Sequence, residues 1–285
     1  MRENLFIIGL ILASLVLQGC DSAVSQSSKT ENKSATPQPQ QEISKQQKVE
    51  FKGVSFSYNP RVFGEIKSEE IAEYPLQEET FKPDGVAPQH RLFTFDLATD
   101  FSPMYIAVYP VSDFPRMYAV NKSSVKAMEE EIINLQKVLQ DKNFRVKGHI
   151  PYLPFIDASQ SFQSKVRHFP FQNGRGILFL THWSFEIEFV SNRQLRYVFE
   201  GLTNDGKYYV LAEMPVSVAF LSDDSPEEFE GYKIPWEKLK DETEMKRFNE
   251  VNKGIGRRLE NLKPNEFKPN LDYLEEIISS LKIEK

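Results

Sequence analysis

Between Lys165 and Val216 the chain follows strand grammar almost without interruption, and that run dictates the architecture. Lys165–Phe171 leads into Asn173-Gly174 and then a long apolar-polar run from Gly176 to about Phe189. Asn-Gly readily supplies the positive φ angles of a tight hairpin, so the two runs predict an antiparallel pair. With Asn173 and Gly174 at the centre of the turn, Gln172 faces Arg175 and His168 faces Phe179. A second hairpin follows: Leu195–Thr203, the turn Asn204-Asp205-Gly206, then Lys207–Val216. Within the arm after Gly176, Ile177, Phe179, Trp183, Phe185, Ile187 and Phe189 share one parity, and His182, Ser184, Glu186 and Glu188 share the other. Successive strand side chains point to opposite faces, so this parity predicts one core face and one wet face.

Further strands are expected at Gly53–Tyr58, which stops at Asn59-Pro60, and at Arg91–Leu97 and Met104–Tyr109. Helices fill the intervals. Val125, Met128, Ile132, Leu135 and Leu139 recur at steps of three and four behind the capping candidates Ser123 and Ser124. Asp241 with Glu244 resembles a capping box ahead of the stripe Met245, Phe248, Val251, Ile255, Leu259 and Leu262. Gly254 and Gly256 sit inside that stripe and weaken it by up to about 1 kcal/mol each relative to alanine. A last helix runs from about Leu271 to Leu281. The expected class is α+β, an antiparallel β-sheet of about five to seven strands packed by α-helices. Its 22 Phe and 11 Tyr, against only 13 Gly, suit sheet faces packed beneath helices.

The amino-terminal segment is of another kind. Arg2, an apolar run from Leu5 to Leu17, then Gly19 and Cys20 follow the order of an export signal. That run is shorter than the roughly 20 residues of a spanning helix, so cleavage is expected in place of a permanent span. Cys20 is the one cysteine of the chain, which leaves a processed domain no thiol for a disulfide, a thiolate metal site or nucleophilic chemistry. From Asp21 to about Lys48 the chain is polar and Pro-containing and cannot bury enough surface to offset chain ordering. The expected organisation is therefore a signal at 1–19, a lipidated cysteine and flexible tether at 20–48, and one α+β domain at 49–285. Such a coil spans on the order of 30 Å. The net charge of −6 survives cleavage, because the signal removes one Arg and one Glu; neither nucleic acid nor an anionic surface is an expected partner.

Candidate chemistry is sparse. His182, Glu186 and Glu188 carry metal-ligand side chains, but residues four apart on one strand are about 13 Å apart, too far to meet at one ion without a bulge. His168 on the preceding strand does not pair with His182 in the expected register, and His90 and His149 fall beside prolines in loops. Asp223, Asp224, Glu227, Glu228 and Glu230 form an acidic run without the spacing or central glycine of an EF-hand loop. No P-loop, nucleophile elbow or zincin motif is present, and no serine has a neighbouring motif to activate it. Tyr208, Tyr209 and Trp236 are candidates for an aromatic cleft that stacks against sugar or peptide.

Two resemblances add to this. Leu17-Gln18-Gly19-Cys20 resembles the lipobox of bacterial lipoproteins, which implies diacylglycerol on Cys20, and Asp21 resembles the signal that retains such proteins in the inner membrane. Gly53-Val54-Ser55-Phe56, the stretch Phe171 to Gly176, the stretch Phe199 to Val210 and Pro215-Val216 resemble a family of uncharacterised bacterial lipoproteins, which implies no activity and no catalytic residue. The order of elements is also similar, more loosely, to the PsbP-like fold of photosystem-associated lumenal proteins, which implies docking or assembly. The expectation is a non-enzymatic, extracytoplasmic lipoprotein without a cofactor. It is anchored to the membrane by its lipid and binds an envelope protein. A small-ligand receptor for sugar, peptide or metal is the second expectation, an envelope hydrolase the third.

Overall fold

In the computed structural model, described for residues 46–77, 85–97, 102–141, 148–238 and 241–284, the chain forms fourteen strands, in consecutive runs, and five α-helices. The strands are β1 (Gln47–Phe51), β2 (Val54–Tyr58), β3 (Ile66–Ile71), β4 (His90–Phe95), β5 (Met104–Pro110), β6 (Ser159–Phe171), β7 (Gly174–Ser184), β8 (Leu195–Thr203) and β9 (Tyr208–Pro215). Five two-residue strands follow, β10 (Ser217–Val218), β11 (Glu228–Phe229), β12 (Tyr232–Lys233), β13 (Phe267–Lys268) and β14 (Lys282–Ile283). The helices are α1 (Pro60–Phe63), α2 (Phe114–Met117), α3 (Lys122–Gln140), α4 (Glu242–Asn261) and α5 (Asp272–Ser280).

Seven strands form one antiparallel sheet in the order β3-β4-β5-β9-β8-β7-β6, so the four strands expected from Lys165 to Val216 lie side by side in chain order. β1, β2 and β14 make a second, three-stranded sheet. The class is α+β, as the alternation and turn residues imply.

The turn between β6 and β7 differs from expectation by one step. Phe171 pairs with Gly174 and His168 with Ile177, so Gln172 and Asn173 form the turn. Gly174 serves packing in place of a positive φ: a Cβ there would lie 2.0 Å from the Phe171 ring. The second hairpin follows the expected chemistry, with Gly206 at φ 71° and the Asp205 carboxylate accepting from Thr203 Oγ1 at 2.7 Å.

The wet face is not found. Ile177 and Phe179 pack with α2 and α3 through Phe114, Met117, Met128 and Leu135. On the other parity Leu178 and Leu180 pack beneath β2, α4 and α5 through Phe56, Leu259, Leu274 and Ile278. The central sheet is covered on both faces, and the unbroken apolar run Ile177 to Leu180 is what such a strand needs. β7 ends at Ser184, so Phe185 is exposed, and Phe189 belongs to a satellite cluster with Tyr232, Ile234 and Phe248.

The caps refine two helices. Asn121, ahead of the expected serines, caps α3 by accepting from Ser124 N at 3.2 Å. Asp241 caps α4 by accepting from Thr243 N at 2.7 Å. Gly256 marks a close approach, because a Cβ there would meet Phe162 of β6 at 3.2 Å. β1 begins at Gln47, two residues before the expected domain boundary. Among the described residues no helix is long and apolar enough to cross a membrane.

Candidate functional site

Cys20, Asp21 and the tether as far as Ile43 and beyond lie outside the described residues, so the candidate site is sought in the folded domain. The three aromatic candidates do not converge. Tyr208 and Tyr209 are neighbours on β9 and must point to opposite faces. Tyr209 is fully buried between Tyr109 and Phe114, while Tyr208 carries the Arg91 guanidinium 4.7 Å above its ring. Trp236 sits in a 3-10 turn, 58% exposed. A fully buried ring cannot line an open cleft with the other two.

The metal candidates separate as well. His182 is 0% exposed, on the parity of Leu178 and Leu180. The chain bends after Ser184 and returns Glu188 to 3.8 Å from His182 Nε2, a closeness that an uninterrupted strand forbids. Glu186 stays exposed and contributes only backbone atoms, its carbonyl accepting from Ser184 Oγ and its N–H donating to that oxygen at 3.2 Å. Among the described residues no three metal-ligating side chains gather.

The geometry that does converge lies at the sheet edge. β6 carries one extra residue relative to β7 between Gln160 and Gln163, and another between Ser164 and Arg167. Bulges bend a strand and re-aim its side chains. At the second bulge Lys165 adopts φ 53°, its N–H donates to the Glu260 carboxylate, and its ammonium donates to Glu260 O at 3.0 Å and Leu262 O. A cation on the last carbonyls of α4 satisfies orphan acceptors and suits the helix dipole. Ser164 Oγ lies 2.9 Å from both Gly256 O and Glu260 Oε2. This clamp holds α4 along β6 and leaves a 530 Å³ cavity between them, lined by Gln160, Ser161, Gln163, Lys253 and Arg257 among others.

Behind the cavity wall stands a directed hydrogen-bond chain. Glu188 Oε1 accepts from Gln194 Nε2 at 2.7 Å, and Ser184 Oγ lies 2.9 Å from the same oxygen. A carboxylate accepts only, so the Gln194 amide must turn its nitrogen to Glu188 and its oxygen to the imidazole. Gln194 Oε1 lies 3.0 Å from His182 Nε2, which is therefore the N–H donor. His182 Nδ1 is left as an acceptor, and Ser161 Oγ donates to it at 3.1 Å. Burial lowers the His182 pKa, with the Gln194 bond and the nearby Glu188 charge opposing, so the ring is neutral at pH 7. Ser161, half-buried, belongs at once to this chain and to the cavity. Beside it Gln160 Nε2 is a buried donor without a partner.

A second polar cluster occupies the opposite sheet face. Glu200 of β8 is 0% exposed, and among the described residues neither carboxylate oxygen has a well-formed hydrogen bond, the nearby Tyr209 hydroxyl falling short of that geometry. Burial raises its pKa well above the usual carboxylate range, and the Glu213 and Glu131 carboxyls add to the rise. Tyr152 donates to Glu213 and lies 3.4 Å from the Tyr105 hydroxyl. The Glu213 pKa is also raised by burial, opposed by Tyr152 and Arg196.

The sequence marked His182 and Glu188 as metal-ligand candidates but neither cluster as such. Ser161 and His182 lie 21 positions apart and meet only through the first bulge. The one available signal was polar residues inside apolar strands, Glu200 between Phe199 and Leu202 above all. No family model, curated protein or solved structure matches the chain. Geometry alone carries the functional reading.

Proposed function

We propose that the chain is an extracytoplasmic lipoprotein, anchored through lipid on Cys20, whose tethered domain binds a protein partner in the envelope through the cavity between β6 and α4. The observation that carries this reading is the cavity itself. It sits where β6 is the edge strand of the large sheet, and it is lined by amide, hydroxyl and cationic side chains. An edge strand keeps one row of backbone donors and acceptors free for an added chain. Lys253 and Arg257 share the exposed carboxylate of Glu250, at 2.9 and 3.9 Å, so the rim can exchange one carboxylate for another at small cost.

Photo-crosslinking in living cells from Gln163, with Lys67 of the far edge strand and a tether-only protein as controls, tests the reading. Recovery of one partner from Gln163 alone is expected. Equal yields from all three contradict it. Cys20→Ala should release the protein from membranes, and continued fractionation with membranes contradicts the anchor.

The cavity volume also favours a second reading, a small-ligand receptor. Ligand sites occupy about 300 to 1,000 Å³, and this one measures 530 Å³. A screen of sugars, peptides and metal ions by thermal shift separates the two, since a ligand at 100 times its dissociation constant stabilises by about 2.7 kcal/mol.

A further inference from the structure

We infer that Ser161 is an activated nucleophile toward acyl esters held in the cavity between β6 and α4, with His182 as its general base. This goes beyond the binding reading and departs from the expectation that no serine has a partner to activate it. Three independent features meet at one hydroxyl. Ser161 Oγ is 3.1 Å from the imidazole nitrogen that the hydrogen-bond chain leaves unprotonated. The imidazole is oriented in turn by Gln194 at 3.0 Å, and Gln194 by Glu188 at 2.7 Å. Nucleophile, base and orienting group within hydrogen-bond reach is the general signature of nucleophilic catalysis, whatever the fold. The same serine lines a cavity of 530 Å³.

The chemistry closes on these groups. Ser161 Oγ attacks the ester carbonyl carbon while its proton passes to His182 Nδ1. The carbonyl oxygen becomes anionic in the tetrahedral intermediate and returns to a carbonyl as that intermediate collapses. The bond to the leaving alkoxide breaks, the alkoxide takes the proton from His182, and an acyl-serine remains. Water then attacks the acyl carbon, giving its proton to Nδ1, and the carboxylic acid leaves as the proton returns to Ser161. Gln194 and Glu188 touch no reacting atom. They are positioning residues, and they stabilise the imidazolium through the Nε2–H that Gln194 accepts. Burial keeps the resting ring neutral, the state a base must have. Lys253 and Arg257 at the rim select esters with a polar or anionic acyl group.

The test uses the purified full chain and an alkyl fluorophosphonate, which loses fluoride to an activated serine. Intact mass and peptide mapping should show one adduct, on Ser161, absent in Ser161→Ala. His182→Gln should label about 100-fold more slowly. Glu188→Gln should label more slowly with a shifted pH midpoint, and it serves alone if His182→Gln fails to fold by circular dichroism. Unlabelled folded wild type, an adduct on another residue, or a Glu188→Gln protein with the wild-type rate and pH profile each overturns the proposal. Crosslinking from Gln163 is scored on the wild-type protein, so a folded protein that captures its partner yet stays unlabelled overturns this proposal and leaves the binding reading standing.

Discussion

His182 and Glu200 are both completely buried, on the neighbouring strands β7 and β8 of the large sheet and on opposite faces of it. The histidine has a partner on each nitrogen, and its chain of bonds ends at a half-buried carboxylate, Glu188. Among the described residues the glutamate has only the imperfect contact with the Tyr209 hydroxyl. A buried polar group without partners is held only because the surrounding packing outweighs it, and it stays neutral to limit the cost. A fully bonded one fixes geometry. The contrast explains why the first cluster can position a reactive hydroxyl at a cavity while the second reads as a strain reservoir in the core between the sheet and α3.

Substitutions should therefore move stability in opposite directions on the two faces. His182→Ala leaves Gln194 and Ser161 unpaired beside a void and should cost about 2 to 4 kcal/mol in urea denaturation. Glu200→Met, apolar and of similar length, removes two orphan oxygens and should gain about 1 to 3 kcal/mol at pH 8. A loss there would place an unseen partner on Glu200.

The pH dependence sharpens the same contrast, at about 1.4 kcal/mol per pH unit for one proton. Glu200 has a raised folded pKa, so the native state holds the proton longer than the unfolded chain. Its stability contribution is complete below the unfolded value of 4.5 and is lost as pH rises above it. His182 has a lowered folded pKa, so its contribution is complete above the unfolded value of 6.5 and is lost as pH falls below it. Urea midpoints between pH 4.5 and 8 should show the decline with pH vanish in Glu200→Met and the acid-side loss vanish in His182→Gln. The smallest effect is expected of Glu188→Gln, about 1 kcal/mol, because Gln194 then loses a charged acceptor but keeps its packing.

What the chain revealed in advance follows from range. The four strands from Lys165 to Val216 and the stripe on α4 are local patterns of period two and 3.6, and both are found. The covered second face was legible in the unbroken run Ile177 to Leu180, and the parity of His182 to Glu188 obscured it because β7 stops at Ser184. The hairpin register slipped because Gly174 answers to the Phe171 ring and not to turn geometry. The candidate site was least legible: His182 and Glu188 stood out as metal-ligand side chains, while Ser161 and Gln194 did not. Its members Ser161, His182, Gln194 and Glu188 are joined by a bulge and a chain reversal, and neither leaves a periodic trace.

The reactivity of Ser161 depends on the direction of one hydrogen-bond chain, and long-range ¹H–¹⁵N correlation of the His182 ring reads that direction. A neutral ring at pH 7, protonated on Nε2 with Nδ1 as acceptor, is the predicted result. A ring protonated on Nδ1, or on both nitrogens, would mean that Ser161 has no base and would contradict it.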